Sequence, residues 1–280
     1  MSVLTGPATG PDQLRGDGFG AALTDGVICV ERHLRHLRRA PGRLVNAVVL
    51  PMVFALLFGV LFGSVIEVPN GGYEEFIMAG IFVQGVLSAV PGTAVGAVED
   101  LRNGLVDRFR SLPMSGAAVL IGRTVGDTVL RAIGCVAMAA VGLGIGWRTH
   151  ENALKVLAGF GILLLFGFTV AWLGALIGLS LGDPTTASSV PSLLLMPVMF
   201  LSNAFIPLTG LPHWLTVAAE WNPLSSVVGA CRELWGNPTA AAGHSFPNDH
   251  PVALSLVWMA LILATVAPLA IRKYRTAAAR

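Results

Sequence analysis

The sequence predicts an all-α integral membrane protein with six transmembrane helices. Three observations carry that reading. Of 280 residues, 54% are hydrophobic and only 12% are charged, about half the charged share of an ordinary soluble domain, and the mean hydropathy is +0.71. Apolar runs recur at lengths suited to about 30 Å of hydrocarbon, which takes roughly 20 helical residues. Lys and Arg gather in alternate connections, as membrane orientation requires.

The six runs lie at residues 44–64, 76–98, 118–146, 153–181, 190–208 and 252–271. Pro51, Pro91, Pro197 and Pro268 fall inside them, where neighbouring helices can satisfy the freed backbone groups. Arg15, Arg32, Arg35, Arg38, Arg39 and Arg43 precede the first run. Arg102, Arg108, Arg110 and Arg123 flank the second connection, and Arg272, Lys273, Arg275 and Arg280 follow the last run. Only Arg148, Lys155 and Arg232 fall on the opposite side. Both termini are therefore expected in the cytoplasm. The Arg-over-Lys bias with abundant Ala and Gly fits a high-GC bacterial gene, hence a multi-pass protein of the bacterial plasma membrane.

Residues 1–18, rich in Gly, Pro, Asp and Thr, read as a disordered tail. The first forty residues carry no apolar stretch of signal-peptide type. Residues 19–43 read as an amphipathic elbow helix in the cytoplasmic interface, with Arg32, Arg35, Arg38 and Arg39 toward lipid phosphates. Ala40-Pro41-Gly42 ends it and lets the chain turn into the membrane. The permease body is then 44–271, with 272–280 a cytoplasmic tail. His33 and His36, among arginines, read as interfacial polar residues, and Cys29, Cys135 and Cys231 as small apolar fillers.

The connection at 99–117 stands out. EDLRNGLVDRFRSLP sets acids beside three arginines in a chain otherwise nearly free of charge, with a helical pattern stopped at Pro113. It is either a solvated connector or a docking surface for a cytoplasmic partner. On the other side, 208–236 is too interrupted by Pro212 and Pro223 to span, yet carries Trp214, Trp221 and Trp235, residues that favour the headgroup level. A pair of short interfacial or re-entrant helices is expected there, with 237–251 a plain external loop. His244, Asp249 and His250 are too loosely spaced for a metal site.

Two stretches carry a family resemblance. Glu99, Gly104, Asp107, Arg108, Leu112 and Pro113, followed by Gly122-Arg123, resemble the cytoplasmic loop of type 2 ABC exporter permeases (the ABC-2 family). Phe200-Leu201-Ser202, Phe205, Pro207, Leu211-Pro212, Trp214-Leu215, Asn222-Pro223-Leu224 and Arg232 are similar to that family's stretch after the fifth span. Asn203 departs, since a small residue is usual there. With the six-span plan the resemblance covers residues 20–275, and its nearest flavour is the daunorubicin-resistance type of permease.

The resemblance implies a permease subunit that moves an amphiphilic drug-like compound or a lipid outward. It would work as a dimer with an identical or related permease chain. Glu99, Gly104, Asp107, Arg108, Arg110, Leu112 and Pro113 would then form the helix coupled to the ATPase subunit. A Walker A loop needs Gly-Lys-Ser/Thr to cradle phosphates, and the two lysines, Lys155 and Lys273, stand in no such context. ATP and magnesium would be bound by a separate cytoplasmic ABC ATPase, so this chain is not expected to be catalytic or to hold a cofactor or metal. Membrane lipids are further expected contacts, and nucleic acid is not.

Charges and amides inside spans are costly and often functional. Arg123, Asp127 and Arg131 lie at i, i+4 and i+8 on one face of span three; they read either as a self-neutralised stripe or as part of a gate. Gln84 in span two and Asn203 in span five either line a substrate path or bond between helices. Gly92/Gly96, Gly122/Gly126 and Gly174/Gly178 read as packing positions. Two other function classes fit less well. An intramembrane enzyme needs convergent nucleophiles, bases or metal ligands, and the spans offer none. An ion-coupled secondary transporter needs membrane carboxylates, and only Asp127, already beside arginines, is available.

Overall fold

The computed structural model describes residues 49, 52–54, 56–58, 68, 71–102, 116–205, 207–208, 211–239 and 243–278. The elbow region 19–43, most of span one and the connection at 103–115 lie outside them. Described residues of 49–58 are helical, in keeping with a first span there. The named helices are α1 (Tyr73–Leu87), α2 (Val90–Arg102), α3 (Gly116–Ile145), α4 (Ala153–Leu181), α5 (Pro184–Phe200), α6 (His213–Glu220), α7 (Pro223–Trp235), α8 (Phe246–Asp249) and α9 (Pro251–Ala278). No strand occurs among the described residues.

Local chemistry sets the ends of these helices. Asn152 caps α4 by accepting from the Lys155 amide, and Gly182 closes it at φ 68°, a left-handed conformation that glycine adopts without steric cost. Asp183 then caps α5 through the Thr186 amide, with Pro184 in the first turn, where a missing N–H costs nothing. Asn222 and Pro223 repeat that pairing at the start of α7. Span two is two helices. α1 stops at Leu87, Ser88 and Ala89 turn, and α2 resumes with Pro91 in its first turn.

Four stretches among the described residues are long and apolar enough to cross a membrane: Tyr73–Asp100, Thr124–Ile145, Ala153–Leu181 and Pro251–Tyr274. Helix α4 is apolar all round, as a central helix should be, and packs on α1, α2, α3, α7 and α9. The apolar windows of α1–α2 and α4 are 67% buried, against 28% and 22% for α3 and α9. The outer pair thus keeps apolar faces for lipid or another subunit. Gly174 and Gly178 let α2 and α4 meet backbone to backbone, since a Cβ on Gly178 would stand 2.2 Å from the Ala94 carbonyl oxygen. Gly92, expected to pack, faces open space among the described residues.

Span five differs from expectation. The apolar run suggested 190–208, but α5 covers Pro184–Phe200, 17 residues, and residues 201–205 are not helical. The Asp183-Pro184 start signal shifts the helix toward its N-terminus. The following apolar residues are buried as irregular chain: Ala204 is fully buried and Phe205 is 5% exposed.

Candidate functional site

Non-helical backbone inside an apolar bundle must find partners for its carbonyls. The last turn of α5 and the irregular residues 201–205 find partners at α7 and α1. Arg232 of α7, fully buried, donates from Nη1 to the Asn203 carbonyl at 3.0 Å and from Nη2 to the Ala204 carbonyl at 3.3 Å. Its Nε and Nη2 donate to the Phe76 carbonyl on α1 at 3.0 and 2.9 Å. The guanidinium also lies 3.7 Å over the Phe76 ring, a favourable cation–π arrangement. No acidic side chain pairs with Arg232 among the described residues; carbonyl dipoles and an aromatic face hold the charge instead.

Asn222 closes the other side of the same knot. Its Nδ2 donates to the carbonyls of Val198 and Leu201, at 2.8 and 2.6 Å, while its Oδ1 accepts from the Leu224 amide. The Asn203 amide donates to Ser225 Oγ at 3.1 Å, and Tyr73 Oη donates to the Phe205 carbonyl at 3.0 Å. Phe58, from the helical residues of 49–58, stacks on Phe205 at 5.1 Å. A Cβ on Gly80 would lie 2.1 Å from the Ala204 oxygen, so only glycine admits this approach of α1. The segment after α5 is therefore locked between α1 and α7.

Four expectations are corrected here. Asn203 is not in a helix; it lies in the irregular segment, and its bonds run through its backbone. Arg232, counted only as one of the three basic residues on the outer side, is a core residue. Trp235, grouped with Trp214 and Trp221 at the interface, is buried among Phe82, Trp147 and Phe160, with centroid distances of 5.1 to 5.2 Å. Its Nε1 donates to the Val156 carbonyl. Trp214 and Trp221 do stay open, at 71% and 48% exposure. The stretch 237–251 is not plain loop, since Asn237 binds Trp147 Nε1 and the Arg148 carbonyl, and α8 lies within it.

A second polar group lies between α2 and α3. Arg131 is buried, and its Nη2 donates to Thr93 Oγ1 at 3.2 Å; the same oxygen lies 3.0 Å from Asp127 Oδ2. The hydroxyl has one proton, for which Asp127 and the Ala89 carbonyl, at 3.2 Å, compete. Thr93 thus bridges Asp127 and Arg131, the acid and base that lie at i, i+4 on one face of α3. Arg131 Nε and Nη1 have no partner among the described residues, nor does Gln84 Oε1. Gly167 makes room for the arginine, since a Cβ there would stand 2.9 Å from Arg131 Cδ. Arg123 belongs to the same helix, and its side chain lies outside the described set.

At the end of α2, Arg102 Nη2 donates to the Gly182 carbonyl at 3.1 Å and reaches Asp183 Oδ1 at 3.4 Å. The end of α2 is thereby clipped to the α4–α5 turn. The Thr186 amide, and then the Thr186 hydroxyl, hold the Asp183 carboxyl below the usual range. Glu99 sits exposed on α2. Gly104, Asp107, Arg108, Arg110, Leu112 and Pro113 lie outside the described residues, as do Arg32, Arg35, Arg38 and Arg39. Thr93 and Tyr73 carry no sequence signal of their own. Arg232 did have one, in its spacing from Asn222-Pro223.

Comparison with known proteins places this geometry. The family model described as ABC-2 type transporter matches residues 25–234. The chain is 31% identical over 253 residues to the daunorubicin resistance ABC transporter permease protein DrrB1 of Streptomyces coeruleorubidus, covering 88% of this chain and 87% of that one. It is 24% identical to the probable doxorubicin resistance ABC transporter permease protein DrrC of Mycobacterium tuberculosis, over 81% and 80% of the two chains. It is 25% identical to the putative transport permease ycf38 of Cyanophora paradoxa, over 75% and 73%.

Proposed function

The chain belongs to the ABC-2 type transporter family and is a transmembrane ABC transporter subunit; on that premise we propose that it exports an amphiphilic drug-like compound or lipid. A separate cytoplasmic ATPase would power it, and a second permease chain would complete the pathway. The observation that carries this reading is the near full-length similarity to a daunorubicin-resistance permease, joined to a sequence with no Gly-Lys-Ser/Thr loop.

In this reading the Arg102 end faces the cytoplasm and the Tyr73 end faces outside. Residues 99–113 dock on the ATPase. A push there enters α2 directly, and the Arg102 contacts with Gly182 and Asp183 pass it to α4 and α5. The close α2–α4 contact at Gly174 and Gly178 supports this route, because two helices in backbone contact move as one body. At the far end, the segment locked by Arg232 and Asn222, together with α6 and α7, forms the external re-entrant cap.

The test is co-purification. Tagged permease co-expressed with a candidate ABC ATPase subunit should retain that subunit, and the pair should hydrolyse ATP faster when an amphiphilic substrate is added. Transport that proceeds without any ATPase, driven by an ion gradient, would favour the secondary-transporter reading instead.

A further inference from the structure

Helix α2 packs closely on α4 and α5, with Gly174 and Gly178 admitting its backbone onto α4, whereas among the described residues its backbone barely meets α3. The link that the described residues do make between α2 and α3 is polar. Thr93 Oγ1 on α2 accepts from Arg131 Nη2 at 3.2 Å and lies 3.0 Å from Asp127 Oδ2. Arg131 is 6% exposed, and its Nε and Nη1 are sealed inside the protein without an acceptor among the described residues. These two nitrogens carry most of the guanidinium's donors. A buried cation that leaves most of its donors idle is in a costly arrangement.

No solvent reaches Nε or Nη1, so an acceptor for them has to come from the protein itself. Asp127 stands one helical turn before Arg131, the spacing and order at which a carboxylate reaches a basic side chain along one helix. Thr93 now bridges the two. Were α2 to shift away, the hydroxyl would leave with it, and Arg131 would close on Asp127 with no backbone movement in α3. Neither charge would then be stranded, and that is the condition for separating a charged contact inside a membrane. Gly167 of α4 leaves the arginine its space, since a Cβ there would stand 2.9 Å from Arg131 Cδ.

We propose that Thr93 and Asp127 are alternative partners of Arg131, and that their exchange latches and releases α2 from α3 during transport. Latched, the guanidinium holds Thr93, as in this structure. Released, it pairs with Asp127, and α2 is free to shift along α3. The exporter reading enters only as the source of the push, delivered through residues 99–113.

Two spin labels read the latch. They are carried in nanodiscs by Gly92→Cys on α2, where a Cβ meets nothing within 4 Å, and by Val136→Cys on α3, which is 71% exposed. Cys29 is replaced by serine, and Cys135 and Cys231 are buried. In the permease alone, Thr93→Val should move the inter-label distance away from the parent value, and Thr93→Ser, which keeps the hydroxyl, should not. With the ATPase bound, ADP and vanadate should move the parent distance the same way. Asp127→Asn can still accept from Thr93 but offers Arg131 no charge. It should keep the resting distance, lose the vanadate response and cut substrate-stimulated ATP hydrolysis at least about tenfold. A Thr93→Val distance equal to the parent's, or a parent-like vanadate response in Asp127→Asn, would overturn the latch. The Thr93 arm needs no ATPase, so its failure leaves the exporter reading standing. An ATPase that never binds the permease would count against that reading and leave the Thr93 arm to decide the latch.

Discussion

Arg232 and Phe76 meet twice: the guanidinium donates two hydrogen bonds to the Phe76 carbonyl, at 3.0 and 2.9 Å, and lies 3.7 Å above the Phe76 ring. Through the carbonyls of Asn203 and Ala204 the same side chain fixes the irregular chain after α5. Arg232→Leu should therefore destabilise by about 1–3 kcal/mol for each carbonyl left unpaired. Arg232→Lys should recover little of this, because an ammonium lacks the planar fork. Thermal unfolding of the purified chain in detergent checks it; a parent-like transition in Arg232→Leu would contradict the role.

Thr93 bridges Asp127 and Arg131. Thr93→Val keeps the shape and removes the bridge, which should cost about 1–3 kcal/mol because the buried Arg131 guanidinium loses its Thr93 acceptor. Thr93→Ser should restore most of that stability. If all three proteins unfold together, the bridge is not structural.

Two glycines of α4 make a matched pair. Gly178→Ala puts a Cβ 2.2 Å from the Ala94 oxygen and should cost on the order of 1–3 kcal/mol by forcing α2 and α4 apart. Gly161→Ala meets nothing within 4 Å and should be neutral or stabilising by up to about 1 kcal/mol, alanine being the better helix former. Unfolding temperatures that fall equally in both would count against the close contact.

These sites also show what the sequence could and could not convey. The expected span 153–181 coincides with α4 because hydropathy and the Asn152 and Gly182 caps agree. The last span agrees as well, since hydropathy reads 252–271 and the apolar stretch is Pro251–Tyr274; α9 itself runs on to Ala278, because a helix can leave the apolar layer and continue. Span five is misplaced because the apolar run outweighed Asp183-Pro184, and because apolar residues can be buried as irregular chain when others take their carbonyls. That service comes from Asn222 and Arg232, more than twenty positions later, and such distant pairing leaves no local periodicity. The residue spacing that marked the family did single out both side chains, yet their depth became visible only in the packed structure.

Topology is checked by cysteine accessibility. Reporters at Ser111 and at the C-terminus should react from the cytoplasmic side, and reporters at Asn70 and His244 from outside. Asn70 and Ser111 on one side of the membrane would exclude the six-span plan.

The most direct test reconstitutes the permease with its ATPase in liposomes and follows release of a labelled amphiphile. Transport should require ATP hydrolysis and should survive collapse of ion gradients. Gly104→Leu with Arg108→Glu should abolish both ATPase retention and substrate-stimulated hydrolysis while leaving the unfolding temperature unchanged, because removing one partner of a desolvated interfacial pair costs about 2–5 kcal/mol. Retained ATPase and full ATP-driven transport in that double variant would contradict coupling through residues 99–113, and transport that needs no ATPase would contradict the exporter itself.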